Sequence, residues 1–291
     1  MELESVYLTY KPLLFSVAYR MLGTVADAED MLQDMFITLQ QTDTEHITNL
    51  KSYLVKMVTN RCLNFLNSAS KQRETYIGSW LPEPKVTAYR EDPMGSLVQD
   101  ESISYAFLVL LQELSAVERA VFVLREVLGY EYDEVASMVQ KSEANCRKIY
   151  SRAKNKLGHS SEEEDTLPGR TEPLVTKFLQ AVETGNFQDF VSLLMEDAVM
   201  VSDSGGKVRT AIHPLYGKHR IAAFFEGIHP KGALQGQWLS TTINGQTGLV
   251  LMLDKEPRMV ILFDKAEGLQ QASHMYVIRN PDKLQLISSQ L

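Results

Sequence analysis

Between residues 141 and 157 the sequence places six cationic side chains, Lys141, Arg147, Lys148, Arg152, Lys154 and Lys156, against one acid, Glu143. The whole chain of 291 residues carries a formal net charge of -8. A dense local cation on an acidic chain is an electrostatic footprint for phosphate, and so for a DNA-reading element. Arg147, Lys148 and Ser151 are suited to base edges or nearby backbone. Arg152 and Lys154 are suited to phosphates, and Glu143 is counted with this set.

These side chains must ride on a helix. Ser142 is a plausible N-cap, since its hydroxyl can accept an orphan backbone N–H of the first turn. Cys146, Tyr150, Ala153 and Leu157 follow at spacings of 4, 3 and 4, which predicts one buried stripe. The cations fall off that stripe. Just before it, residues 132–139 read as a short helix with Val135, Met138 and Val139 inward. Gln140-Lys141-Ser142 is then a three-residue turn. The pattern is a helix-turn-helix whose second helix enters the major groove. A helical hairpin with a solvated basic face is the plainer reading. It ranks second because the flanking segments also suit a DNA-binding role.

Upstream, the charge alternates. Residues 1–50 hold eight acids and two bases, whereas residues 51–75 hold five bases and one acid. Both segments read as helices. Val6, Leu13, Leu14, Val17, Ala18 and Met21 recur at helical spacing until Gly23, and a second helix follows over 27–39. Asp27, Glu29 and Asp30 favour that helix's start through its macrodipole. An acidic helix suits a basic protein surface, although a solvated face explains the charge as well. In residues 51–75, amides and aromatics interleave with bases, which suits unstacked nucleobases and phosphate tracking. Tyr53, Asn60, Asn64 and Phe65 are the candidates there.

Two linkers separate the parts. Residues 76–104 contain Gly78, Pro82, Pro84, Pro93 and Gly95, which break helices. Within them, Trp80-Leu81-Pro82-Glu83-Pro84 puts two apolar side chains on a proline-stiffened loop, either as an anchor for a partner or as a lid on its own domain. Residues 158–170 carry Glu162-Glu163-Glu164-Asp165 and read as a solvated tether. Residues 171–291 change character. Helices come first, a strand over 198–201 and a helix over 219–225 follow, and then a run of antiparallel strands around 237–243, 248–253, 259–263, 273–278 and 284–287. That order argues α+β. Asn244-Gly245 is a strong hairpin turn. Asp203-Ser204-Gly205-Gly206-Lys207 reads as a hairpin turn too, and Asn280-Pro281-Asp282-Lys283-Leu284 as a turn before the last strand. His213, His219, His229 and His274, with Asp254 and Asp264, offer an acid/base pair but no metal spacing. Lone histidines are more often structural. Cys62 and Cys146 read as buried free thiols. No apolar run reaches the ~18 residues of a membrane span, and the acidic start does not resemble a signal peptide. The chain therefore reads as cytoplasmic, with no cofactor and no metal.

Several motifs together carry a resemblance. Asp27-Ala28-Glu29-Asp30, Gln33-Asp34-Met35-Phe36, Tyr53-Leu54, Asn60-Arg61-Cys62-Leu63-Asn64, Glu118-Arg119, Phe122-Val123-Leu124-Arg125-Glu126 and Glu134-Val135-Ala136 resemble the extracytoplasmic-function (ECF) sigma factors of bacterial RNA polymerase. The match covers the first half of the chain, in order. The Trp80–84 string looks like the linker signature of a subgroup with a SnoaL-like C-terminal extension. Asp203-Ser204-Gly205-Gly206-Lys207 resembles that subgroup's Asp-Gly-Gly-Gly-Lys motif with Ser204 in place of one glycine, and Asn280-Pro281-Asp282-Lys283-Leu284 matches its C-terminal motif.

The resemblance implies a fold and roles. Two all-α sigma domains, residues 1–75 (region 2) and 105–157 (region 4), would precede a SnoaL-like α+β cone with a curved antiparallel sheet. Asp27, Asp30, Gln33, Asp34 and Phe36 would bind core polymerase. Tyr53, Asn60, Arg61, Asn64, Phe65, Lys71 and Arg73 would take the melted minus-10 strand, and the basic helix the duplex minus-35 element. Trp80, Leu81, Pro82, Glu83 and Pro84, with Asp203, Gly205, Gly206, Lys207, Asn280, Pro281, Asp282, Lys283 and Leu284, would form a regulatory contact. The family usually has Trp where Tyr53 stands, and Asp and Arg where Asn64 and Asn67 stand, so the minus-10 preference departs from the common one. The expected protein is a monomeric, non-enzymatic sigma factor whose C-terminal domain modulates it in cis, with or without a small ligand in the cone. The alternatives are a ligand-sensing helix-turn-helix regulator and a SnoaL-like isomerase or hydrolase fused to a DNA-binding module.

Overall fold

The computed structural model describes residues 3–43, 46–73, 75–86, 103–158, 171–265 and 271–290, with the side chains of residues 3, 69–73, 289 and 290 left aside. The chain packs as two units. Of the described residues, the first unit holds those up to 75 together with 107–158, and the second holds 76–86, 103–106 and those from 171 to 290.

In the first unit, α1 (Leu3–Leu22), α2 (Val25–Gln40) and α3 (Leu50–Arg73) pack together. α1 stops at Gly23, whose φ of 76° lies in the left-handed region that glycine tolerates. α2 buries Val25, Ala28, Leu32, Met35, Phe36 and Leu39, one helical stripe. α3 buries Leu54, Val55, Val58, Cys62 and Leu66 against it. The basic half follows. After α4 (Tyr105–Leu111), α5 (Ala116–Phe122) opens with a capping box between Ser115 and Glu118 and runs on into a π-turn over Val123–Val127. α6 (Tyr132–Val139) ends at Gln140, whose φ is 54°. α7 (Glu143–Leu157) begins at Ser142, whose hydroxyl accepts the Asn145 N–H at 3.3 Å.

The buried stripe of α7 is Cys146, Ile149, Ala153 and Leu157, so Ile149 takes the inward place expected of Tyr150. Steps of three and four from Cys146 reach either residue. The phenol of Tyr150 donates to Glu126 and its ring stacks at 6.1 Å on Phe122, which hold it at the rim. Arg119 of α5 is 2% exposed and donates to the carbonyls of Met21 and Leu114. The Met21 carbonyl is one of the last of α1, left without a partner inside its own helix.

In the second unit, α8 (Glu172–Thr184), α9 (Gln188–Val191) and α10 (Lys218–Ile228) accompany a six-stranded sheet. Its order is β2 (Leu215–Tyr216), β1 (Leu194–Asp203), β6 (Ala272–Ile278), β5 (Glu256–Lys265), β4 (Gln246–Leu253) and β3 (Gln237–Ile243). β3 to β6 form an antiparallel run. Two-residue turns with positive φ, Asn244-Gly245 and Asp254-Lys255, force the first two reversals. β1 and β6, however, are parallel, with Val199 opposite His274 and Asp203 opposite Ile278. The sheet is thus mixed, not wholly antiparallel. No tight turn joins β1 to β6, so nothing compels them to run in opposite directions.

Two local expectations fail here. Residues 284–287 are not a strand. α11 (Pro281–Leu284) and α12 (Ile287–Gln290) stand there, because Asn280 caps the Asp282 N–H and Pro281 sits at the first helical position. Residues 203–207 do not close a hairpin either. They leave β1 into a longer loop that returns at β2. The core centres on Phe178, whose ring lies 5.2 Å from Phe190, 5.2 Å from Phe225, 5.5 Å from Trp238 and 6.3 Å from Phe263. Phe178→Ala is expected to cost about 3–5 kcal/mol, read as a lowered urea midpoint for the second unit.

Candidate nucleic-acid interface and linker dock

α7 presents Arg147, Lys148, Ser151 and Arg152 to solvent, together with Glu143. Their partners differ. Arg147 meets Glu143 at 3.5 Å, and its guanidinium lies 4.2 Å from the centre of the Tyr132 ring. Lys154 is bonded at 3.1 Å to Glu126 on the π-turn. That contact raises the Lys154 pKa and, with the Tyr150 phenol as the larger cause, lowers that of Glu126. Lys156 reaches Glu118 at 2.8 Å, and its ammonium, with help from Ser115, holds that carboxyl down at about 2. Two of the six cations counted in the sequence are therefore engaged with α5 and the π-turn. Charge spacing alone cannot reveal such pairings, because Glu118 and Glu126 lie far away in the chain. The contacts of the Tyr132 ring with Arg125 and Arg147 are hidden from spacing in the same way, although Tyr132 heads the first helix of the pair and Arg125 stands in the Phe122–Glu126 motif.

On α3, Tyr53, Asn60, Arg61 and Phe65 are half-buried and Asn64 is exposed. Tyr53 lines a groove of about 570 Å³ with His46, Asn49, Ser52 and Lys56, closed on its other side by Asp133, Glu134, Ser137 and Met138. The Lys56 ammonium lies 3.4 Å from the Ser137 hydroxyl. Arg61 donates to Thr38 of α2 at 2.6 Å. The side chains of Lys71 and Arg73 lie outside the described residues, as do linker residues 87–102 and tether residues 159–170. On α2, Asp30, Gln33 and Asp34 are exposed beside Ile37, which is 57% exposed. Asp27 accepts from the Thr24 hydroxyl at 2.5 Å. Phe36 faces inward, edge-on to Tyr7 at 4.8 Å, so its ring belongs to the core rather than to an outer surface.

In the second unit, three motifs far apart in the chain meet. Asp203 is fully buried at the end of β1, and its carboxylate accepts from Lys283 Nζ at 2.7 Å and the Leu81 N–H at 2.8 Å on one oxygen. The other oxygen accepts from Tyr76 at 2.5 Å and the Gly205 N–H at 3.0 Å. Lys283 also donates to the Leu81 carbonyl and lies 3.8 Å from the Trp80 ring centre. Asn280 donates to the Tyr76 oxygen at 2.9 Å. Burial and the adjacent Asp203 charge push the Tyr76 phenol upward. Gly205 is required for space as well as for its φ of 59°, since a Cβ there would stand 2.7 Å from Asn280. Lys207 pairs with Asp282 at 2.5 Å. Leu81, Pro82, Glu83 and Pro84 are buried, and the Pro82 carbonyl accepts from Tyr105 at 2.8 Å. Beyond them, Lys85 and Asn244 exchange bonds of 3.0 and 2.9 Å, and Val86 bridges Ile243.

A helix-turn-helix with a basic second helix, preceded by a three-helix module and followed by a mixed-sheet domain, defines a modular transcription factor. Residues 6–72 match the Sigma-70 region 2 family, and residues 104–157 match Sigma-70, region 4. The chain is 34% identical over 242 residues to the ECF RNA polymerase sigma factor SigJ of Mycobacterium tuberculosis, covering 81% of this chain and 76% of that protein. It is 26% identical over 193 residues to the probable ECF RNA polymerase sigma factor SigI of the same organism, covering 66% of each. The crystal structure of the M. tuberculosis SigJ aligns with a TM-score of 0.75 at 29% identity, covering 98% of both chains. The chain belongs to the ECF RNA polymerase sigma factors.

Two outcomes are expected from this geometry. Arg152→Ala should flatten the log–log salt slope of promoter binding by about 0.9, and Lys154→Ala should flatten it by less, because Glu126 already holds that ammonium. Salt titrations of both variants on one promoter fragment check the difference. Lys283→Met should destabilise the second unit by about 3–5 kcal/mol, since it leaves a buried carboxylate without its counter-charge. Urea melting, together with faster proteolysis across residues 76–86, measures it.

Proposed function

We propose that the protein directs promoter-specific transcription initiation by carrying core RNA polymerase to DNA with two spaced elements. α7 takes the duplex minus-35 element in the major groove. Arg147, Lys148 and Ser151 reach bases or nearby backbone, and Arg152 takes phosphate. The α3 face at Tyr53, Asn60, Arg61, Asn64 and Phe65 takes the melted minus-10 strand, where half-buried rings and amides suit unstacked bases. Asp30, Gln33 and Asp34, around exposed Ile37, form the polymerase contact. The observation that carries this reading is the exposed cationic face of α7 on an otherwise acidic chain.

The protein acts by binding and carries out no covalent chemistry. In support, five aromatic rings pack on Phe178 and belong to the apolar core of the sheet domain. His229 is committed to the Val182 carbonyl at 2.8 Å. His274 lies 3.6 Å from Asp264 but is 42% exposed. Among the described residues no helix is long and apolar enough to cross a membrane. The place of action is the cytoplasm, where template and polymerase are found.

The second unit modulates this activity in cis by holding the linker. Docking of residues 76–86 shortens the free tether between α3 and α4, and tether length sets the effective concentration of one DNA-binding part at the site of the other. A small ligand in the sheet domain would act only by favouring the docked or the undocked linker.

Run-off transcription with purified core polymerase is the test. The full chain is expected to yield promoter-specific transcripts, with an altered yield from Lys283→Met and from a chain ending at residue 165. Equal output from all three would refute regulation in cis, and no transcript from any template would refute the sigma role. Reversing Asp30 and Asp34 to Lys is expected to abolish capture of core polymerase. Retained capture would favour an ordinary helix-turn-helix regulator.

A further inference from the structure

Tyr132 opens α6, and its ring is shared by two guanidinium groups, Arg147 at 4.2 Å and Arg125 at 4.8 Å from the ring centre. Each guanidinium is also tied to an acid. Arg147 meets Glu143 at 3.5 Å, and Arg125 meets Glu131 at 3.1 Å while donating to the Tyr130 carbonyl at 2.8 Å. The two like charges can therefore approach one ring without an uncompensated repulsion. The edge of the ring is fixed as well. Tyr150 meets it at 6.1 Å and 79°, and Tyr150 is itself stacked on Phe122 and bonded to Glu126.

An exposed arginine on a helix samples many rotamers and loses that freedom when it reaches a base edge. A ring that already holds the guanidinium removes part of this loss before DNA arrives. Arg147 is an α7 arginine held in this way, whereas Lys154, which lies 5.7 Å from the Tyr150 ring centre, is already bonded to Glu126. Lys148 and Arg152 project from the same helix as exposed side chains.

We infer that Tyr132 is a positioning residue for minus-35 recognition, holding Arg147 in the orientation from which its guanidinium reads a guanine edge, with Arg125 fixing the ring from the turn before α6. Arginine paired with the two acceptors of guanine is the contact most sensitive to such orientation. The inference rests on α7 being the recognition helix. It adds a residue from the first helix of the pair, which does not itself need to touch a base.

The test uses holoenzyme reconstituted from the full chain and core polymerase. Initiation is measured on a panel of promoters carrying every single-base change in the minus-35 element. Arg147→Ala is expected to erase discrimination at one base pair. Tyr132→Leu should weaken discrimination at that same pair by about fivefold, leave the other pairs and the salt slope unchanged, and add nothing to Arg147→Ala in the double variant. Tyr132→Phe should behave as wild type. Tyr132→Met replaces the leucine variant if the latter melts early. Unchanged discrimination at the Arg147 pair, an equal loss at every pair, or full additivity with Arg147→Ala would overturn the positioning role. An Arg147→Ala variant with an unaltered panel would instead bring down the recognition-helix reading, and the role of Tyr132 with it.

Discussion

A buried ion pair organises the second unit. Asp203 and Lys283 have left water almost entirely, and neither charge could stay buried without the other. The carboxylate satisfies its remaining lone pairs with the Tyr76 hydroxyl and the N–H groups of Leu81 and Gly205. The ammonium uses the Leu81 carbonyl and the face of Trp80. Three of these partners come from the proline-stiffened segment. The pair is fully compensated only when that segment is in place, so the fold of the sheet domain and the position of the linker are coupled by electrostatics. A plain apolar contact would allow sliding. A buried pair with five directed partners allows one register.

The first unit solves a different problem. A recognition helix must keep cations exposed, yet exposed cations on one face repel each other and move freely. Here the charges are divided. Lys154 and Lys156 neutralise Glu126 and Glu118 and hold α7 to the preceding segment. Arg147 is steadied by an acid and a ring, while Lys148 and Arg152 project outward. The π-turn supports this division, because it presents Arg125 and Glu126 on the segment that α7 packs against. Pairs of this kind add little stability at the surface, but they decide which cations are committed before DNA is met.

The same unit also contains a groove at α3. The groove that contains Tyr53 is walled on one side by Asp133, Glu134 and Ser137 of α6. Lys56 on the α3 side reaches the Ser137 hydroxyl across this groove at 3.4 Å. Exposed Asp30, Gln33 and Asp34 lie on α2, away from the buried stripe that fixes that helix to its neighbours. The core-facing and solvent-facing residues of α2 are thus separated by helical periodicity alone.

Periodicity, capping and turn chemistry are local, and the sequence by itself determined what depends on them: the helix-turn-helix with its Ser142 cap, the three upstream helices, the Asn244-Gly245 hairpin and the α+β character of the last part. Motif resemblance located the linker string and its two companions without saying how they meet. Only the tertiary structure decided that Asp203 and Lys283 share one buried site with Leu81, that β1 runs parallel to β6, that Ile149 rather than Tyr150 faces inward, and that Lys154 belongs to Glu126. Each of these joins residues distant in the chain or chooses between neighbours on one helix, and neither follows from spacing. Residues 280–284 show the boundary well. Their turn chemistry was legible as a break, and the Asn280 cap with Pro281 at the first helical position makes a short helix there, while the burial of Lys283 against a carboxylate eighty positions earlier is decided only by the tertiary structure.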